Sequence, residues 1–164
     1  MNDTQTITGQ VKIEKTTLEA IQGAVDSIVD MEAELDKLEG QEVTQVFTFL
    51  LATGLILRAS DIHIEPEKQG AKIRLRIDGI LQDASDISEE LHEALLSRIK
   101  LTSGLKLNVE KRPQDGRFSF LTPTGESIEV RSSSLPAEYG ESIVLRILNP
   151  KSLITIKELG LRKD

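Results

Sequence analysis

The 164-residue sequence contains no cysteine and no tryptophan, and its aromatic residues are one tyrosine and four phenylalanines. Without cysteine there can be no disulfide, thiol nucleophile or thiolate metal site. The two histidines, His63 and His92, stand apart, and no His/Cys cluster has the spacing of a zinc site. An aromatic content of 3% leaves few platforms on which bases could stack. No apolar run reaches membrane-spanning length, because Val43–Leu57 is interrupted by Thr44, Gln45, Thr48 and Thr53. The opening MNDTQTITGQ has neither the basic nor the apolar region of a signal peptide. A reduced, cytoplasmic setting and no membrane span are the expectations.

What is present is charge, unevenly placed. The net charge is -7, and the first 45 residues carry all of it, with ten acids against three bases. The rest of the chain holds 17 of each sign and is neutral. A protein that binds nucleic acid through its backbone needs a basic surface, so nucleic acid is not an expected partner.

The hydrophobic period divides the chain. Residues 1–16 have no clear period and are expected to fray. Thr17–Leu38 reads as one acidic amphipathic helix, with Leu18, Ile21, Val25, Ile28 and Leu35 on a seam and Gly40 as its stop. Gln41–Leu57 reads as a second amphipathic helix, with Val43, Val46, Phe47, Leu50, Leu51 and Leu55 on one face. Asp61–Pro66 and Lys72–Ile77 then alternate as strands. Asp78-Gly79 is the signature of a tight hairpin turn, and Ile80–Ala84 is the returning strand. Ser88 is placed to cap a helix that buries Leu91, Leu95, Ile99 and Leu105, leaving His92 exposed. A polar connection over 106–116 leads to strands Arg117–Leu121, Glu126–Ser133 and Ser142–Leu148, with Pro136–Glu141 as a six-residue loop. An apolar patch follows at Leu153, Ile154 and Ile156. The order predicts an α+β fold with an antiparallel sheet covered by helices on one face.

Three arginines stand out. If Phe118 and Phe120 share a buried face with Ile128 and Val130, Arg117 falls opposite Arg131. Pairing Leu135 with Ser142 sets Arg131 opposite Arg146. Like charges facing one another destabilise a sheet unless acids, solvent or a bound anion neutralise them. Glu126, Glu129 and Asp115 are the nearest acids in sequence. Arginine is also the side chain whose planar fork fits phosphate oxygens, so the row is either a solvated face or an anion site. Asp61, His63 and Glu65 share one strand face, as an acid/base group, a metal site or a polar interface or solvent-facing stripe. No GxxxxGK[ST], GxGxxG or GxSxG motif occurs, so no phosphate loop and no nucleophile are assigned.

The segments ASDIHIEP (59–66), RLRIDG (74–79), KRPQDGR (111–117), VRSSSLP (130–136) and YGESIVLRIL (139–148) occur in that order. Together they make residues 41–164 resemble the second N-terminal (N2) domain of the type II secretion and type IV pilus assembly ATPases. Residues 1–40, an acidic segment with one helix, lie outside the resemblance. It implies a PAS-like fold within a cytoplasmic hexameric ring, with ATP and Mg bound on a separate P-loop domain. By motif, the family's two phosphate-clamping arginines fall on Arg131 and Arg146, with Arg117 beside them. Asp61, His63, Glu65, Arg74 and Arg76 become candidates for contact with a neighbouring motor domain, and an inner-membrane platform protein is a further implied partner. LGL near the end would begin the approach to the P-loop domain, so the sequence is expected to be a fragment cut before it. On that reading the chain alone is no enzyme and holds no cofactor of its own. A different class, a stand-alone PAS-like ligand-binding or protein-interaction module, would need polar groups pointing inward. The inward positions Ile73, Leu75, Phe118, Phe120, Ile128 and Val130 are all apolar.

Overall fold

The computed structural model describes residues 9–148. The described residues form seven strands and four helices. They are β1 (Gln10–Lys12), α1 (Lys15–Ala24), α2 (Ile28–Leu38), α3 (Val43–Ile56), β2 (Ala59–Pro66), β3 (Ala71–Ile77), β4 (Ile80–Ile87), α4 (Glu89–Ser103), β5 (Gln114–Leu121), β6 (Ser127–Ala137) and β7 (Gly140–Ile147). The strands form one sheet in the order β1-β5-β6-β7-β2-β3-β4. Two antiparallel meanders, β2-β3-β4 and β5-β6-β7, therefore join through an antiparallel β2–β7 pair.

Both meanders follow from local patterning. Alternate residues of β3 (Ile73, Leu75), β5 (Phe118, Phe120) and β6 (Ile128, Val130) are buried, as period-2 alternation requires. The Asp78-Gly79 turn has φ of 53° and 79°, the two left-handed residues that match the twist of a two-residue hairpin. The predicted pairings of Phe118 with Val130 and of Phe120 with Ile128 are present.

Helix α3 is the central helix. It is buried from Val46 to Leu55 apart from Thr48, and Phe47 meets Phe118 edge-on with ring centroids 5.6 Å apart. Helix α4 is capped by the Ser88 hydroxyl, which accepts from the Leu91 N–H at 3.1 Å. It packs beside α3 and reaches β2, β5 and β6. The helices thus line one sheet face, and no described helix covers the other. That agrees with the expected mixed α and β architecture.

Several expectations fail locally. The single helix over Thr17–Leu38 is two helices. Val25 is extended and buried, and the Ser27 hydroxyl starts α2 by accepting from the Asp30 N–H. The polar N-terminal stretch includes β1, which pairs parallel with β5 and adds a parallel edge to an otherwise antiparallel sheet. Val11, Ile13, Val25, Met31 and Leu35 join the same core as α3 and the sheet, so the change of charge near residue 40 does not coincide with a change of core. The loop Pro136–Glu141 is a two-residue turn, because Pro136 still pairs with Glu141 and Ala137 with Gly140. Strand β5 begins inside the expected connection, at Gln114. The apolar patch at Leu153, Ile154 and Ile156 lies outside the described residues.

Candidate functional site

The open sheet face carries the charged side chains. One cross-strand row runs Arg117 (β5), Arg131 (β6), Arg146 (β7), Asp61 (β2) and Arg76 (β3). Both registers inferred for the arginines are realised: Arg117 pairs with Arg131, and Arg131 with Arg146. The next row holds Asp115, Ser133, Val144, His63, Arg74 and Asp83. The strands thus bring Arg117, Arg131 and Arg146 together, and they place Asp61, His63, Arg74 and Arg76 beside them.

The three arginines are unequally held. Arg117 is exposed and has no charged partner among the described residues. Arg131 is 63% exposed and lies 3.4 Å from Glu129. Arg146 is as exposed, and its Nε donates to Asp61 Oδ1 at 2.9 Å. The other oxygen of Asp61 accepts from Arg76 Nε at 3.0 Å. Arg76 also donates through Nη1 to the Gly79 carbonyl. Asp61 is 2% exposed. Burial pushes its carboxyl up, but hydrogen bonds and charge from Arg146 and the hydrogen bond from Arg76 outweigh that, with a smaller contribution from His63. The net result is a carboxyl held below its ordinary value. Arg146 is correspondingly held in its charged form by Asp61.

The acids that neutralise the row are only partly the ones nearest in sequence. Glu129 faces Arg131, but Asp115 accepts from the Ser133 hydroxyl at 2.8 Å. The principal partner is Asp61, 85 residues from Arg146 in sequence. Only the β2–β7 pairing brings them together, and no local pattern signals it. Elsewhere on this face, His63 Nδ1 lies 3.6 Å from Glu65, and Arg74 Nε donates to Asp83 at 3.0 Å. Glu65 is 3.8 Å from Arg74, so the candidate interface residues are tied into ion pairs with one another.

A second polar group was not legible in the sequence. His92 is buried, not exposed, because the β6–β7 turn folds over the start of α4. Its Nε2–H donates to the Glu141 carbonyl at 3.1 Å. Lys100 is 1% exposed and pairs with Glu141 at 2.8 Å while donating to the Val109 carbonyl at 2.9 Å. A buried lysine needs such partners, since an uncompensated charge there costs several kcal/mol. This node ties α4 to the segment before β5 and to β7, the strand that carries Arg146. Ser132 and Ser134 also point inward and are buried, so the interior is less uniformly apolar than the alternating pattern suggested.

The chain belongs to the type II/IV secretion system protein family, whose family model matches residues 36–164. A type IV pilus assembly ATPase, TfpB of Acinetobacter baylyi, is 36% identical over 121 residues, covering 73% of this chain and 21% of the relative. Type II secretion system protein E of Xanthomonas campestris pv. campestris is 34% identical over 150 residues, covering 91% and 26% respectively. The chain therefore spans about a quarter of the length of these curated relatives. The crystal structure of the pilus retraction motor PilT with bound ADP matches 62% of this chain and 29% of its own. Its sequence identity is 20% and its TM-score 0.41, and that likeness carries no argument. Among the described residues, no helix is long and apolar enough to cross a membrane.

Proposed function

We propose that this chain is a non-catalytic, arginine-supplying domain of an ATPase that powers type II secretion or type IV pilus assembly. The observation that carries the reading is the cross-strand adjacency of Arg117, Arg131 and Arg146 on a sheet face that no described helix covers. Three neighbouring guanidinium groups repel one another in an isolated sheet. A polyanion presented by another module removes that cost, and phosphate oxygens match the arginine fork. The matched relatives include an ATPase by name, which makes a nucleotide triphosphate the fitting anion.

On this reading the nucleotide is bound by a P-loop module that faces the open side of the sheet. On the same reading that module also holds the Mg. The residues of this chain bind and orient. Arg131 and Arg146 grip the terminal phosphates, and Arg117 adds long-range attraction. Because their grip needs a phosphate, the placement of this domain against the P-loop module depends on the nucleotide state. Repeated around a hexamer on the cytoplasmic side, such coupling would drive an inner-membrane platform protein. His63, Glu65 and Arg74 lie on the same face, where a neighbouring subunit's P-loop module would bear.

The test is steady-state ATP turnover by the polypeptide that joins this chain to its P-loop module. Arg131→Ala and Arg146→Ala should each reduce turnover by roughly a thousandfold, the scale of an arginine finger, with circular dichroism unchanged. Turnover within about twofold of the parent in both variants, well short of a finger's contribution, would remove the clamp.

A further inference from the structure

Asp61 treats its two arginines differently. Arg76 is engaged at both edges, by Asp61 at Nε and by the Gly79 carbonyl at Nη1. Among the described residues Arg146 is engaged only at Nε, and its side chain is 63% exposed against 36% for Arg76. The carboxylate is itself 3% exposed, so it is fixed by its strand and cannot follow Arg146 outward. An arginine tethered at Nε has its direction set, while its two terminal nitrogens remain available as a fork. Without that tether, repulsion from Arg131 across the β6–β7 pair would push the Arg146 guanidinium away from the row.

We propose that Asp61 is the positioning residue of the arginine row: by holding Arg146 through Nε, backed by Arg76, it presents the Nη1 and Nη2 nitrogens of Arg146 to a phosphate. The inference rests on the clamp reading and deepens it. It assigns Asp61 to the phosphate site from the side, with no contact to phosphate itself. Asp61 and an anion then hold Arg146 together and do not compete for it. A free arginine must be immobilised when it binds, which costs about 0.5–1.5 kcal/mol per side chain, whereas a tethered one is already in place.

The experiment uses the 164-residue chain labelled with 15N, inorganic tripolyphosphate as the probe, and the arginine Nε–Hε signals as the readout. At about 0.15 M salt, where charges beyond roughly 8 Å are screened, the probe should move the Arg131 and Arg146 signals. At saturation the Arg146 Hε should still exchange slowly with water, because Asp61 keeps it. Asp61→Asn should abolish slow exchange at Arg146 and weaken the probe by about twofold to tenfold, even though the variant is one charge more positive. Equal or tighter binding by Asp61→Asn, with a parental amide spectrum, overturns the positioning role and leaves the clamp standing. If Asp61→Asn does not fold, the parent protein decides: loss of slow Arg146 exchange at saturation makes Asp61 a competitor and sinks the proposal. A probe that moves neither Arg131 nor Arg146 overturns the clamp reading and this inference with it.

Discussion

Asp61 joins Arg76 and Arg146 through one buried carboxylate, and its protonation should be visible in stability. Its carboxyl is held below the ordinary 3.8, so it binds protons less readily when folded than when unfolded. Its stabilising effect is complete above that value and is lost as pH falls through the depressed folded value. The gap in urea midpoint between the parent and Asp61→Asn should therefore be constant near neutrality and narrow as pH is lowered from neutrality to below the ordinary carboxylate value. A gap independent of pH over that range would show that the carboxylate is not the titrating partner. At this scale the sequence was informative about Arg117, Arg131 and Arg146, because hairpin registers are local. It was uninformative about Asp61 as their counter-charge and about His92. Each of those is decided by a neighbour far along the chain, 85 residues away for Asp61 and 49 for His92.

At the scale of elements, α4 and β5 meet closely beside the arginine row. Gly116 lies in β5 next to Arg117, and a Cβ there would stand 2.5 Å from the Ser103 carbonyl oxygen and 2.8 Å from Leu105 Cδ2. Gly116→Ala should therefore cost about 1–3 kcal/mol in urea unfolding, the usual range for overpacking. It should also speed amide exchange in the last turn of α4. An unchanged midpoint would mean that this joint yields freely. Elements with strong period or turn chemistry were legible: the capped α4, the Asp78-Gly79 hairpin and the alternating β3. Helix α3 was legible as a helix but not as the central one, since a helix buried nearly all round has no polar face to read. The break between α1 and α2 was missed because Val25 fits a helical seam as well as it fits the core. Strand β1 was missed because three residues carry too little period to register.

For the whole molecule, the decisive event is the junction of the two meanders. Each could be drawn from the sequence alone, yet nothing local specifies that β7 pairs with β2. That pairing carries Asp61 to Arg146 and merges two charged faces into one. Among the described residues it leaves a sheet with helices on one side and a charged face on the other, the face on which the proposed docking depends. The most direct measurement is the distance between arginine nitrogen and phosphorus in a polypeptide that joins this chain to the proposed P-loop module. It would be read by 15N–31P dipolar recoupling with a non-hydrolysable ATP analogue bound. Arginine nitrogens at about 4 Å from phosphorus, with couplings that disappear in Arg131→Lys and Arg146→Lys, are the predicted result. Couplings that survive both substitutions would contradict the account, because the phosphates would then be held by other arginines.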